Sequence, residues 1–240
     1  MKLNLLGSAV LAATIAACVS VDESNENTSQ PVAGDGENTV VASTGNADDN
    51  TTPTRETYPL PAIDRLPPDF AHGGLARDPA TIDMIVIHTI GGPACVDGEI
   101  RFGRPQQSAV FWRDWFTEQN NKSIHYIVDR QGAIAQQRPE NRTAGHVSFG
   151  GVMPNVNGRS IGIELVNNGD GIDPFPEVQL QSLIALLQDI AARRNLSADA
   201  IWAHSALDTR TQAACDNFPR NVDPNDAFPM ARIKAAMPPA

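Results

Sequence analysis

The apolar segment at residues 81–88 constrains the fold of this chain more than any other. It reads Thr-Ile-Asp-Met-Ile-Val-Ile-His and stops shortly before Gly91, Gly92 and Pro93. A short β-branched run that ends at a glycine–proline turn predicts a strand buried on both faces. Such a strand lies inside a sheet whose two faces are covered by other elements.

Alternating strand and helix patterns follow this segment. Four further strands are predicted, at residues 123–129, 133–136, 160–167 and 201–204. Three helices are predicted, at residues 108–118, 176–194 and 227–237. Because strands and helices alternate, we expect a single α/β domain with a central mixed β-sheet of about five or six strands flanked by helices.

The N-terminus has the composition of a bacterial secretory signal. Lys2 precedes about a dozen mostly apolar or small residues that end at Cys18, a stretch too short to span a bilayer as a helix. Residues 15–18, Ile-Ala-Ala-Cys, resemble a lipobox, whose cleavage would leave Cys18 as a lipid-modified N-terminus. The alternative is an ordinary signal peptide with an incidental cysteine. Val19, rather than aspartate, follows Cys18, and among lipoproteins this favours delivery to the outer membrane.

A polar segment separates the signal peptide (1–17) from the predicted domain (59–240). Residues 18–58 are interpreted as a lipidated cysteine followed by a disordered acidic linker. The linker holds eight acidic side chains against one basic side chain and too few large apolar residues to bury a core. Most of the net charge of −10 therefore lies in the linker, and this acidity argues against nucleic-acid binding.

Two histidines end apolar strands, His88 in the first strand and His204 in the last. Imidazoles in this position are held rigidly at the rim of the sheet, where their rings can meet a ligand. Either histidine alone would suit a structural role, but Asp223 follows in a loop with the sequence Asn-Val-Asp-Pro. Two imidazoles and one carboxylate with an open fourth position are the usual ligands of a catalytic zinc ion.

Glu164 is a carboxylate inside the predicted strand at 160–167. Alternation along the strand places it opposite Ile161 and Ile163, on the same face as Gly162. A carboxylate among apolar residues is costly unless it has a partner or a task, and Gly162 would leave room beside it for a ligand. The alternative is a surface carboxylate on a half-exposed strand.

Several motifs occur in an order that resembles a known enzyme family. They are Ile-Val-Ile-His-Thr at 85–89, Ser-Ile-His-Tyr-Ile-Val at 123–128, Arg-Thr-Ala-Gly-His at 142–146, Ser-Ile-Gly-Ile-Glu at 160–164, Ala-His-Ser at 203–205, Val-Asp-Pro at 222–224 and Phe-Pro at 228–229. Over about residues 65–230 the chain resembles the zinc-dependent N-acetylmuramoyl-L-alanine amidases of the type-2 family. That family includes phage amidase-type lysozymes and peptidoglycan recognition proteins.

The resemblance implies a zinc site and an acid/base group. The zinc ligands of the family fall on His88, His204 and Asp223, and its glutamate-using branch has a catalytic acid/base where Glu164 stands. The phage-type branch has a tyrosine where this chain has Ile124, which sorts the chain into the glutamate branch. The implied reaction uses one Zn²⁺ per chain to hydrolyse the amide between N-acetylmuramic acid and L-alanine in peptidoglycan or muropeptides.

Two departures from the family pattern lie near the third ligand. Many relatives have a lysine two residues before it, which holds the oxyanion, where this chain has Asn221 with Arg220 beside it. The oxyanion-holding role is therefore either moved to Arg220 or absent. The long loop before the third ligand contains Cys215, which stays an alternative thiolate ligand. His146 is predicted to line or shape the substrate groove, and His125 to be a core or supporting histidine.

The resemblance also sets the expected partners and location. We expect a monomer that binds peptidoglycan or muropeptides, touches the membrane only through its lipid anchor and lies at the periplasmic face of the outer membrane. Two other functions stay open: a non-catalytic peptidoglycan-binding lipoprotein and a structural lipoprotein that tethers the wall. The presence of all three candidate zinc ligands together with Glu164 favours the enzyme.

Cys95 and Cys215 are the cysteines left once Cys18 is lipidated. In an oxidising periplasm two cysteines favour a disulfide, with two unpaired thiols as the alternative. If His88 and His204 bind one zinc ion, the loops that leave the site start close together. We therefore predict a Cys95–Cys215 disulfide beside the metal cleft.

Overall fold

The computed structural model describes residues 55–239 except 69, 71, 72, 149 and 150. Cys18 and nearly all of the segments interpreted as signal peptide and linker lie outside these described residues. Residues 55–58, which were assigned to the linker, contact the domain. The Glu56 carboxylate accepts a hydrogen bond from Arg232 Nη2 at 2.9 Å, and the Glu56 carbonyl accepts one from Gln188 Nε2 at 2.7 Å. The folded domain therefore begins before residue 59.

The described chain alternates strands with helices. The strands are β1 (Ile63–Arg65), β2 (Met84–Thr89), β3 (Pro93–Val96), β4 (Glu99–Phe102), β5 (Tyr126–Val128), β6 (Ile134–Gln136), β7 (Ser160–Leu165), β8 (Ile201–Ala203), β9 (Thr211–Gln212) and β10 (Phe218–Pro219). The α-helices are α1 (Ala109–Glu118), α2 (Val156–Arg159), α3 (Glu177–Arg194) and α4 (Met230–Ala235). Short 3-10 helices lie at Pro79–Thr81, Ala198–Ala200, His204–Leu207 and Ala213–Cys215.

Six strands form a central sheet in the order β1-β6-β5-β7-β2-β8. The β5–β6 pair is antiparallel, and the other neighbouring pairs are parallel. Two-stranded antiparallel pairs, β3–β4 and β9–β10, lie outside this sheet. The prediction of a single α/β domain with a mixed sheet of five or six strands is confirmed.

The long helix α3 covers one face of the sheet. Its residues Leu183, Ile184 and Leu187 belong to the same buried cluster as Ile161 and Ile163 of β7. The predicted apolar stripe of this helix is buried, together with four further residues, Gln179, Ser182, Ala185 and Leu186. No helix in the described part of the chain is long and apolar enough to cross a membrane.

The opposite face of the sheet is only partly covered. The α1 helix packs there through Phe116, in a cluster with Ile127 of β5, and the short helix α2 packs through Val156 near Val86 of β2. By strand alternation, residue 164 lies on this face and residues 161 and 163 lie on the α3 face. The space between α1 and α2 is where the candidate site lies.

The predicted strand at 123–129 is shorter in the structure than expected. Only Tyr126–Val128 pair with neighbouring strands as β5. The N–H of Ser123 donates to the Gly145 carbonyl and that of Ile124 to the Gln137 side chain. Because these backbone groups are satisfied outside a regular ladder, the apolar pattern extends beyond the strand.

Candidate active site

The candidate metal ligands converge because neighbouring strands end at the same edge of the sheet. His88 lies near the end of β2, and His204 begins the 3-10 helix directly after β8, the parallel neighbour of β2. Asp223 comes from a later loop, and its carbonyl accepts a hydrogen bond from the Ser205 N–H at 2.8 Å. This bond holds the loop against the chain that follows His204.

The ligand atoms of the three residues lie within 4.8 Å of one another. The Asp223 Oδ2 atom is 3.1 Å from His204 Nδ1 and 3.4 Å from His88 Nδ1, and the two imidazole centroids are 4.4 Å apart. All three residues are buried. Among the described residues, 55–239 with the gaps named above, His88, His204 and Asp223 are the one group of three or more His, Cys, Asp or Glu side chains that could hold a metal ion.

The surroundings of His88 and Asp223 keep these two groups in the protonation states that metal binding requires. Burial, together with the neighbouring His204, lowers the pKa of His88 to about 4, so its imidazole is neutral at pH 7. Burial alone would raise the pKa of the Asp223 carboxyl, but the facing His204 and His88 rings hold it below its ordinary value. A neutral imidazole and an ionised carboxylate both offer lone pairs to a metal. The donor set therefore fits a divalent cation such as Zn²⁺.

Glu164 stands beside the ligand group. It is the partner of His88 in the parallel pairing of β7 with β2, and its Oε2 atom is buried with no hydrogen-bond partner among the described residues. Burial raises the pKa of the Glu164 carboxyl well above its ordinary value; the negative charge of Asp223 adds to this rise, and Lys122 opposes it. A carboxyl group with an unbonded oxygen and a raised pKa can exchange a proton with a bound molecule.

The space beside Gly162 is filled by protein rather than left for a ligand, which corrects the expectation from the sequence. A Cβ at residue 162 would lie 2.7 Å from His146 Cγ and 2.7 Å from Ile124 Cδ1. The missing side chain of Gly162 therefore admits the His146 ring.

Neither His146 nor His125 belongs to the ligand group. His146 lines the cleft; its Nδ1 is 2.9 Å from His88 Nε2, and its Nε2 is 3.0 Å from Ser160 Oγ. His125 is fully buried, and its Nδ1 accepts a hydrogen bond from the Gly162 N–H at 3.0 Å. His146 thus contacts the Nε2 atom of His88, the ring nitrogen that does not face Asp223. His125 lies in the core.

Arg220 and Asn221 lie at the wall of the cleft. The Asn221 side chain donates a hydrogen bond to Asp208, and Asp208 also accepts one from Arg210 Nε at 2.8 Å. The Asn221 amide is therefore held by a buried carboxylate. Arg220 is exposed, so its guanidinium can reach an anionic group of a molecule in the cleft.

The candidate residues lie in a cleft of about 1140 Å³. Trp112, Trp115 and Phe116 of α1 form part of its wall, with the Trp112 and Trp115 ring centroids 5.6 Å apart. Lys122 also lines the cleft. Small-ligand pockets have volumes of roughly 300–1,000 Å³, so this cleft has room for an extended ligand with polar and ring-shaped parts.

A disulfide joins Cys95 of β3 to Cys215, the pairing that the sequence analysis predicted, with the two Cα atoms 5.9 Å apart. Cys95 also lines the cleft. Because the Cys215 sulfur is in this bond, Cys215 offers no thiolate to a metal, and Asp223 is the third residue of the ligand group.

Ser160 and the aromatic wall were missed as site residues in the sequence analysis. Ser160, Gly162 and Glu164 alternate along one strand, so the periodicity that placed Glu164 also places Ser160 on the cleft face. Trp112 and Trp115 fall within the predicted helix at 108–118 and were given no role in the site, yet both side chains are only partly buried. Exposure of this kind depends on which neighbouring elements cover the helix.

Comparisons with known proteins place this chain among amidases. A family model described as N-acetylmuramoyl-L-alanine amidase matches residues 78–225. The chain is 28% identical over 165 residues to the 1,6-anhydro-N-acetylmuramyl-L-alanine amidase AmpD of Enterobacter cloacae, a match that covers 64% of this chain and 80% of the relative.

Two solved structures are also similar. A crystal structure of a selenomethionine AmpD derivative aligns with a TM-score of 0.52 at 22% identity, covering 73% of this chain and 94% of that one, which supports the fold. The amidase AmiD from E. coli, solved with anhydro-N-acetylmuramic acid-L-Ala-D-γ-Glu-L-Lys, aligns with a TM-score of 0.43 at 25% identity, covering 64% and 57% of the two chains.

Proposed function

Because this chain belongs to the N-acetylmuramoyl-L-alanine amidase family, we propose that it hydrolyses its substrate with one zinc ion held by His88, His204 and Asp223. The protein is an amidase that acts on the bond between N-acetylmuramic acid and L-alanine in peptidoglycan or muropeptides. The zinc ion, its ligands and the residue roles below are the proposed part.

The observation that carries the zinc proposal is the convergence of three donors on one point. Asp223 Oδ2 lies within 3.4 Å of the Nδ1 atoms of both His88 and His204. A buried carboxylate facing two imidazoles is the composition of a catalytic zinc site with an open fourth position. A bound zinc ion would supply Lewis-acid activation of water and of the scissile carbonyl group.

Glu164 is the proposed proton carrier. Its unbonded Oε2 would accept the proton of the attacking water and deliver it to the departing alanine nitrogen. Arg220 would help to hold the negative charge that develops on the carbonyl oxygen, because it is the exposed cation beside the third ligand. Asn221, which stands where many relatives have a lysine, is bound to Asp208 and is given no such role.

The shape of the cleft supports a substrate with a sugar and a peptide. The indole rings of Trp112 and Trp115 provide apolar faces for a sugar ring, whereas Lys122 and Arg220 provide cations for carboxylates of a stem peptide. This arrangement puts both kinds of group in the cleft that also holds His88 and Glu164. It applies equally to a strand of the wall and to a released muropeptide.

Location remains a proposal from the sequence. We propose a signal peptide at 1–17, a lipidated Cys18, a linker that ends before residue 55 and a catalytic domain beyond it, with the enzyme anchored at the periplasmic face of the outer membrane. The Ile-Ala-Ala-Cys segment and the Cys95–Cys215 disulfide support export to an oxidising compartment.

The experiment that tests this function measures metal and product together. Purified protein should contain about one zinc ion per chain, by the three-ligand argument. Incubation with cell wall or a defined muropeptide should release new alanine amino groups, which chelation of the metal abolishes and added zinc restores. A protein that binds zinc and peptidoglycan but releases no amino groups would support the non-catalytic alternative.

A further inference from the structure

A chain of hydrogen bonds connects Ser160, the first residue of β7, through His146 to the Nε2 atom of His88. Ser160 Oγ donates to the Val156 carbonyl oxygen at 2.6 Å. The same Oγ lies 3.0 Å from His146 Nε2, and His146 Nδ1 lies 2.9 Å from His88 Nε2. Ser160 and His88 are both buried, and His146 is partly buried at the edge of the cleft. We call the three side chains Ser160, His146 and His88 the relay.

The direction of each bond in the relay follows from counting hydrogens. A carbonyl oxygen only accepts, so the single hydrogen of the Ser160 hydroxyl is used toward Val156. His146 must then donate from Nε2 to Ser160. A neutral imidazole has one N–H, so His146 Nδ1 accepts and His88 Nε2 donates. His88 Nδ1 is left with a lone pair, and this atom faces Asp223 Oδ2 at 3.4 Å.

The His146 ring is held in place from several sides. Its backbone N–H donates to Asn157 Oδ1 at 3.2 Å, and the missing Cβ of Gly162 leaves the space that the ring occupies. The His146 and His88 rings meet edge to face, with centroids 5.0 Å apart and an interplanar angle of 90°. A ring fixed in this way keeps its nitrogen directed at His88.

We propose that His146 is a positioning residue that fixes His88 in the tautomer whose Nδ1 binds zinc, with Ser160 setting the direction of the relay. This inference rests on the proposed zinc site. His204 has no equivalent support, since its Nε2 is buried without a partner among the described residues. Residues that hold a metal-binding histidine typically contribute about 10–100-fold to metal affinity or activity.

The tautomers can be measured without any substitution. Imidazole nitrogens of the ¹⁵N-labelled, metal-free protein are assigned by long-range ¹H–¹⁵N NMR. Both His88 and His146 should carry their proton on Nε2, with Nδ1 unprotonated. A His88 ring protonated at Nδ1 would overturn the inference.

Two substitutions at residue 146 separate the acceptor from the bulk of the ring. His146→Leu removes the acceptor, whereas His146→Asn keeps an oxygen close to the position of Nδ1. In competition with a chelator, His146→Leu should raise the Kd for zinc by about 10–100-fold, and His146→Asn by no more than about threefold. In His146→Leu, the His88 proton should move to Nδ1, where Asp223 can accept it.

Ser160→Ala provides a second test if His146→Leu does not fold. It should weaken zinc binding and allow His146 to change tautomer, whereas the matched control Ser182→Ala, at a buried serine of α3, should change neither. Thermal unfolding of each metal-free variant shows whether the fold is retained. Unchanged zinc affinity and tautomers in Ser160→Ala would overturn the role of Ser160.

The relay and the proposed function fail in different ways. If the unsubstituted protein binds zinc and His146→Leu binds it equally well, the relay is overturned and the zinc site stands. If the unsubstituted protein binds no zinc, both the proposed metal-dependent function and the inference about His146 that rests on it are overturned.

Discussion

Glu164 faces His88 across the parallel pairing of β7 with β2, so one backbone ladder positions both the proposed proton carrier and a proposed metal ligand. A shift of this pairing by one residue would turn Glu164 toward α3. The buried isoleucines of β7 oppose such a shift because they would leave the core. The third ligand, Asp223, depends instead on a loop held by hydrogen bonds.

Glu164→Gln should retain zinc and the fold but lose activity by roughly 10²–10⁴-fold, the usual contribution of a general acid/base. The amide has the same size as the carboxyl group but cannot accept a proton at neutral pH. Metal analysis and release of alanine amino groups from a muropeptide provide the two measurements. Activity within a few-fold of the unsubstituted enzyme would remove Glu164 from the mechanism.

Alanine substitution of His88, His204 or Asp223 should abolish zinc retention and activity together, because a three-residue donor set has no spare ligand. Cys215→Ser is the matched control: it should keep the metal, since the Cys215 sulfur is bonded to Cys95. The zinc content of each variant after dialysis measures whether the metal is retained. Full occupancy in Asp223→Ala would require a different third ligand.

The Cys95–Cys215 disulfide should stabilise the domain without being required for zinc binding. It closes a loop with a sequence separation of 120, for which chain entropy gives up to about 5 kcal/mol. The double variant Cys95→Ser/Cys215→Ser should therefore unfold at lower urea concentration while still binding zinc. Thiol labelling of unreduced, denatured protein checks the premise: reactive thiols at both positions would mean that the bond is absent.

Because of Glu140, the free energy of unfolding of the domain should depend on pH. It accepts hydrogen bonds from Arg193 Nη1 at 2.8 Å, Arg194 Nε at 2.9 Å and the Tyr126 hydroxyl at 2.7 Å. Burial alone would raise the pKa of this carboxyl, but Arg193, Tyr126 and Arg194 lower it to about 2. Its contribution to stability is therefore complete above the ordinary carboxyl pKa and is lost as the pH falls toward 2.

Glu140→Gln should lower the free energy of unfolding at pH 7 by about 1–3 kcal/mol, allowing for the partly exposed arginines. The difference from the unsubstituted protein should shrink as the pH falls from about 4.5 to 2. Urea unfolding of metal-free protein measures it without interference from zinc loss. Glu99→Gln, in an exposed pair with Arg101, is the control and should change stability by less than about 1 kcal/mol. A pH-independent difference at Glu140 would contradict the argument.

Local periodicity was enough to predict the central elements. The spacing of Leu183, Ile184 and Leu187 predicted α3, and alternation around Glu164 predicted which face of β7 meets the cleft. These predictions succeeded because each long element buries one surface, and burial repeats along the sequence with the period of the backbone. The motif order also brought His88, His204 and Asp223 together as candidates.

Short elements and side-chain partners were decided by the tertiary structure. The two-residue strands β9 and β10 and the three-residue strand β1 are too short to show a period. Arg193 and Arg194 lie in the last turn of α3, and they bind Glu140, more than 50 positions away.

The contact between His88 and His146 joins residues 58 positions apart. Local sequence describes which backbone conformation a segment prefers and which surface it buries. Which polar atoms meet across the fold depends on how the elements pack, because a hydrogen bond forms only where packing brings donor and acceptor within about 3 Å.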